Sequence, residues 1–169
     1  MVTRDDEARA SSMNRTAVTR RENPWRDAGP LILRVGVGAI FIGAGLQKLM
    51  KIGGGTGIAG AAALFRAIHL EPALPLAVFI AWFEVIGGTL LILGALTQPI
   101  SILFMVEMVV AIWKVHFVNG FFLNWTMKPG VGHGYEFNFI LICASTSLLF
   151  TGPGAFAIDG VARRRGAAS

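Results

Sequence analysis

Two glutamates, two lysines and a histidine stand inside stretches of this chain that are otherwise apolar. Glu84 lies in AWFEVIGG, Glu107, Lys114 and His116 lie in MVEMVVAIWKVHFV, and Lys48 closes GAGLQKLM. In hydrocarbon each such group costs several kcal/mol unless it is paired or hydrated, so these side chains must meet one another. Once gathered, carboxyls, an imidazole and ammonium groups can exchange protons or hold a polar headgroup. Glu107 and Lys114 are seven residues apart, on one face of a regular helix and two turns from each other, a pair at the limit of direct reach. His116, nine residues beyond Glu107, falls on the opposite side of that helix. Glu84 is followed at i+3 and i+4 by Gly87 and Gly88, which admit a second helix at close range and turn Glu84 toward a bundle interior. Arg34, Gly38, Phe41, Gly45 and Lys48 share one face of another helix. The expectation is a polar pocket, open toward the outside, built from Lys48, Glu84, Glu107, Lys114, His116 and Glu136. Trp82, Trp113 and Phe117 are its expected aromatic walls.

The elements that must position these groups are membrane spans. Apolar residues make up 54% of the 169 and charged residues 15%, with a mean hydropathy of +0.62. A soluble helical bundle would carry far more Lys and Glu on its outer faces. Four apolar stretches approach the roughly 20 residues that cross a bilayer core: about 31–50, 75–96, 99–118 and 135–151. Between the first two lies IAGAAALFRAIHL, which reads as a short helix at the membrane surface. The fold class expected is all-α, an integral membrane four-helix bundle over residues 30–160. Residues 1–29 and 161–169 read as basic tails, the first one disordered. Nine of the fifteen basic residues lie in these two ends, which places both of them in the cytoplasm by the positive-inside rule. The same distribution assigns the net charge of +5 to membrane orientation, with lipid and not nucleic acid as the partner. The N-terminal segment is too long, polar and acidic to be a cleaved signal peptide. Cys143 stands alone, so an internal disulfide and a Cys-x-x-Cys redox pair are both excluded.

The order of motifs resembles one family. LILRVGVGAIFIGAGLQKL is similar to the opening helix of DoxX proteins, and WFEVIGGTLLILGALTQP to their second helix. VHFVNGFF and GHGYEFNFILICAS resemble the third and fourth, and GPGAFAID the usual close. The resemblance covers about residues 31–160. It implies a prokaryotic, multi-pass protein of the plasma (inner) membrane, a subunit of a quinone- and thiosulfate-linked or an oxidative-stress redox system. By motif it carries over Arg34, Gln47, Lys48, Glu84, His116, Tyr135 and Glu136.

On this reading Glu84, His116 and Glu136 are the candidate catalytic groups. Arg34, Gln47, Lys48, Trp82, Glu107, Trp113, Lys114 and Tyr135 are the candidate pocket residues. The ligand implied is a quinone, with no intrinsic cofactor: the three histidines lie in different segments without haem-ligand spacing, and no cluster-binding cysteine set is present. Electrons must then come from a protein partner that carries the redox group. A membrane anchor or assembly subunit is the main alternative, with the same charges serving as interhelical contacts. A small transporter or proton path is a third reading, weakened by the lack of inverted repeats or broken helices. GTGIAG at 55–60 satisfies Gly-x-Gly-x-x-Gly, but no strand precedes it, so a loop is expected there.

Overall fold

A computed structural model describes residues 24–154 and 156–160, all of it helix and connecting loop. The N-terminal tail before residue 24 and the basic segment 161–169 lie outside the described residues, with the expectations attached to them. The elements are α1 (Pro24–Met50), α2 (Gly57–Ala67), α3 (Ala73–Leu93), α4 (Thr97–Ala111) and α5 (Glu136–Thr151). A π-helical turn, Ile112–His116, and a 3-10 turn, Phe117–Asn119, extend α4. Among the described residues, three helical segments are long and apolar enough to cross a membrane: Ala28–Met50, Ala73–Leu93 and Thr97–Asn119. The fourth, α5, has 16 residues, about 24 Å of helix, and completes the bundle. The short surface helix expected between the first two spans is α2.

The first helix begins earlier than the sequence reading places it. It runs through Pro30 from Pro24, a residue whose fixed φ suits a first helical turn. Pro30 lacks the N–H for one i→i−4 bond, yet it is buried and the helix continues.

An apolar core holds a few buried polar groups, and the outer surface is apolar as well, as a bilayer requires. Arg34, Glu84, Thr97, Ser101, Asn138 and Ser145 are buried, while Ile32, Phe79, Ile86, Leu103, Val106, Val109 and Ile140 are exposed. Large contiguous apolar surface on every outer helix face is a lipid contact, not a solvent contact.

Two helix pairs form the bundle. α1 packs along α3, and α4 packs along α5. The α1–α3 contact is close because glycine faces glycine. A Cβ on Gly88 would stand 2.6 Å from the Gly38 carbonyl oxygen, and one on Gly38 the same distance from that of Gly88. Two turns along, Gly45 meets Ala81 in the same way. This backbone-to-backbone approach is how small residues associate helices in lipid. Gly88→Val should therefore separate α1 from α3, costing about 1–3 kcal/mol or more. Thermal unfolding in mild detergent measures it, with Thr89→Val on the exposed neighbour as the comparison.

One end of the bundle is closed by a side chain from far along the sequence. Leu96 precedes α4 in left-handed conformation and offers no capping side chain. The Asp159 carboxylate does this instead, accepting from the backbone N–H of Leu96 and of Thr97, each at 3.0 Å. The Asp159 N–H donates to the Gly94 carbonyl at 3.0 Å. Arg34, fully buried on α1, lies against Gly94 and feels the Asp159 charge. Gly94 has φ +69°, and a side chain there would collide with the Arg34 guanidinium.

Candidate functional site

At the other end the two helix pairs enclose a cavity of about 660 Å³, within the range of small-ligand sites. Its floor is aromatic. Phe41 and Phe83 line it, and Phe104 lies beneath, stacked on Phe41 at 3.6 Å between ring centroids and edge-on to Phe83 at 5.3 Å. Leu64, Phe65 and Ile68 of α2 and its following turn cover one side. The rest of the lining is mostly aliphatic, with Lys48, Glu84, Glu107, Lys114, His116 and Asn138 as its polar members.

Three of these form the centre. The Lys48 ammonium donates to both Glu84 carboxylate oxygens, at 2.6 and 2.7 Å, and to the Ala44 carbonyl at 3.4 Å. The Glu84 side chain is 3% exposed, so its charge depends on Lys48 and not on water. The Gly45–Ala81 contact sets this register, since it brings α1 close enough for Lys48 to reach one turn along α3. Glu107 on α4 stands beside Glu84, within electrostatic and hydrogen-bonding range. Its Oε2 is buried without a hydrogen-bond partner. Glu84 is thus held by Lys48, and Glu107, which lines the cavity, keeps one buried oxygen without a partner. The count of two carboxyls against one ammonium makes the trio neutral when it holds one proton.

The π turn places the next two groups. Its wider i→i+5 turn breaks the 3.6-residue phase on which the Glu107–Lys114 alignment rested. Lys114 lines the cavity but rests over the Trp113 ring, 4.4 Å from its centroid, and not on Glu107. His116 joins the lining although regular spacing puts it on the far side of the helix from Glu107. Its Nδ1 lies 2.9 Å from the His133 carbonyl, which only accepts, so Nδ1 carries the proton there. Asn119 Nδ2 donates to the same carbonyl at 3.2 Å, tying the turn to the 120–134 loop.

Six of the expected site residues stand elsewhere. Arg34 shares a helix face with Lys48 but sits four turns away, about 21 Å along α1, in the Asp159 closure. Gln47 points off that face, donates to the Gly53 carbonyl at 3.0 Å, and borders an adjoining recess of about 420 Å³. Trp82 is 52% exposed, because two residues from buried Glu84 it falls on the outer side of α3. Trp113 is 70% exposed beside its lysine. Tyr135 belongs to an aromatic group with Phe117 and Phe121 over the loop. Glu136 opens α5, its N–H bonded to the Phe121 carbonyl at 2.8 Å, and it is Asn138, two residues on, that faces the cavity.

Asn138 stands in the apolar stretch 135–151, and the sequence reading gives it no role in the site. It donates to the Met108 sulfur at 3.3 Å. Asn124, in a glycosylation-like NWT, organises its own loop by donating to the Lys128 and Val131 carbonyls at 3.0 and 2.9 Å.

With the helix order and the Lys48–Glu84 pair in place, the comparisons with known proteins are specific. The DoxX family model matches residues 29–117. The chain belongs to the DoxX family. It is 32% identical over 133 residues to "Putative oxidoreductase CatD" of Bacillus subtilis (strain 168), covering 79% of this chain and 86% of that protein. It is 28% identical over 135 residues to "Uncharacterized membrane protein Rv3486" of Mycobacterium tuberculosis (strain ATCC 25618 / H37Rv), covering 76% and 78%. No solved structure matches the chain. The DoxX match spans α1 through the π turn, and so includes Lys48, Glu84, Glu107, Lys114 and His116.

Proposed function

We propose that this DoxX protein is the quinone-binding membrane subunit of a redox system whose electrons arrive from a protein partner. One observation carries the reading: an apolar, aromatic-floored cavity among membrane helices converges on a carboxyl oxygen of Glu107 that is buried and has no partner. A quinone headgroup suits that setting, being flat, neutral and furnished with oxygens that need hydrogen bonds. The oxidoreductase name of the Bacillus relative supports the same class of role. A bound quinone supplies two-electron, two-proton chemistry.

The protein's own part is to hold and protonate. The Phe41 ring provides a flat wall with the Phe83 ring set at an angle beside it, and Asn138 is a polar contact at the α5 side. Lys48 fixes Glu84 by both oxygens, leaving Glu107 to donate or accept one proton at Oε2. Lys114 and His116 continue the line of titratable groups toward the 120–134 loop. With both basic ends in the cytoplasm this end of the bundle faces outward, in a prokaryotic plasma membrane.

A second reading, a membrane anchor, is favoured by the exposed run Trp113, Phe117, Phe122, Trp125 and Met127, which can dock a partner or the lipid interface. One experiment separates the two. The protein is purified from its membrane in mild detergent, extracted with organic solvent, and quinone is quantified per protein for wild type, Glu107→Leu and His116→Ala. The expected result is near-stoichiometric quinone that falls about tenfold in Glu107→Leu, a loss on the scale of one hydrogen bond to a charged group. Equal traces in all three would leave the anchor reading.

A further inference from the structure

Resting on that reading, we infer that the ligand carries a hydrocarbon tail and reaches the cavity sideways from the bilayer, through a gap between α3 and α4. These helices are joined by a three-residue turn, yet they touch over only a short stretch. They meet where the Phe104 ring packs against Phe83 and Gly87, a Cβ on which would lie 3.1 Å from it, and where Glu107 stands beside Glu84. On the Lys48 side of that point the cavity occupies the space between them. Phe79, Leu103 and Val106 line the cavity and are 63%, 50% and 55% exposed. Side chains that border both an interior space and the outside form the rim of an opening.

The rim lies at hydrocarbon depth. Val106 is about 14 Å along a span that begins at Thr97, near the middle of a core roughly 30 Å thick. Phe79, Leu103 and Val106 are all apolar, so the opening faces acyl chains and not water. Its inner end is the Lys48–Glu84–Glu107 trio. The two carboxyls are matched by the Lys48 and Lys114 ammonium groups, so the lining offers no net charge to bind an anion, and drawing a charged lipid headgroup to mid-bilayer would be costly. The fitting ligand is therefore a neutral, oxygen-bearing headgroup on a single hydrocarbon chain, with the headgroup at Glu107 and the chain leaving between Phe79 and Val106.

The test uses full-length protein in nanodiscs, with a tail-less benzoquinone and the same benzoquinone bearing a decyl tail. Bound quinone per protein is measured for wild type, Val106→Trp and Leu103→Trp, with empty nanodiscs subtracted. Both substitutions are on lipid-exposed positions, and two are used so that a misfolded variant, identified by its elution and helicity, leaves the other to decide. The expected result is about a tenfold or greater loss of the tailed quinone, with the tail-less one retained, since an indole in the gap overlaps the chain and not the headgroup. Unchanged binding of the tailed quinone in both variants, or equal loss of both quinones, overturns the side entrance while the headgroup site stands. Failure of wild type to bind either quinone overturns the headgroup reading and this inference together.

Discussion

Lys48→Met is expected to be among the most damaging single substitutions in the described chain, lowering stability by about 3–5 kcal/mol. The reason is Glu84 and not the lost ammonium. Glu84 is 3% exposed and receives both Lys48 hydrogen bonds, at 2.6 and 2.7 Å, so the substitution leaves a buried carboxylate with no counterion. It also leaves that carboxylate beside Glu107. The converse change is milder, because Lys48 is 26% exposed at the end of α1 and can turn toward the interface. The double variant Lys48→Met, Glu84→Gln should recover most of the loss, since replacing both partners removes the uncompensated charge. Thermal unfolding of the four proteins in one detergent gives the coupling directly. Additive effects of the two substitutions would contradict the pairing.

The second large effect is expected at the opposite end. Asp159→Ala removes the acceptor for two backbone N–H groups of the α4 start, each bonded at 3.0 Å, where Leu96 has no side chain to replace it. Loss of a cap costs about 1 kcal/mol, and here the charge near buried Arg34 goes as well, so about 2–3 kcal/mol is expected in total. Asp159→Asn keeps one acceptor and should lose about half as much. Because the closure is distant from the cavity, quinone content per folded protein should stay at the wild-type value. A selective loss of quinone in Asp159→Ala would mean that the two ends are coupled.

The contrast between these ends explains what the sequence made legible. Membrane spans are readable because hydropathy accumulates over twenty residues: three helices long enough to cross cover the first three expected ranges, the first beginning seven residues early, and the shorter α5 covers the fourth. Helix faces are readable too. The stripe from Arg34 to Lys48 does turn inward, and so does Glu84. Depth is not. Arg34 and Lys48 occupy one face at opposite ends of the bundle, so a shared stripe does not make a shared site. Pairing between helices is not readable either. Nothing in the spacing selects Glu84 over Glu107 for Lys48; the Gly45–Ala81 contact does so by setting the α1–α3 register. The Asp159 cap beside Arg34 at one end and the Lys48–Glu84–Glu107 cluster at the other emerge only when helices remote in sequence are assembled.

The regular-helix assumption failed in one further place. It aligned Lys114 with Glu107 and turned His116 away, and the widened turn at Ile112–His116 altered both. A helix turn of this kind holds one residue more than its neighbours. Removing Val115 would return the segment to ordinary pitch and swing everything beyond it by about 100°. Asn119 and His116 would then no longer share the His133 carbonyl, and the hinge between the last two spans would lose its fixed bearing. That single surplus residue works as a spacer whose length decides that Lys114 and His116 both reach the cavity wall.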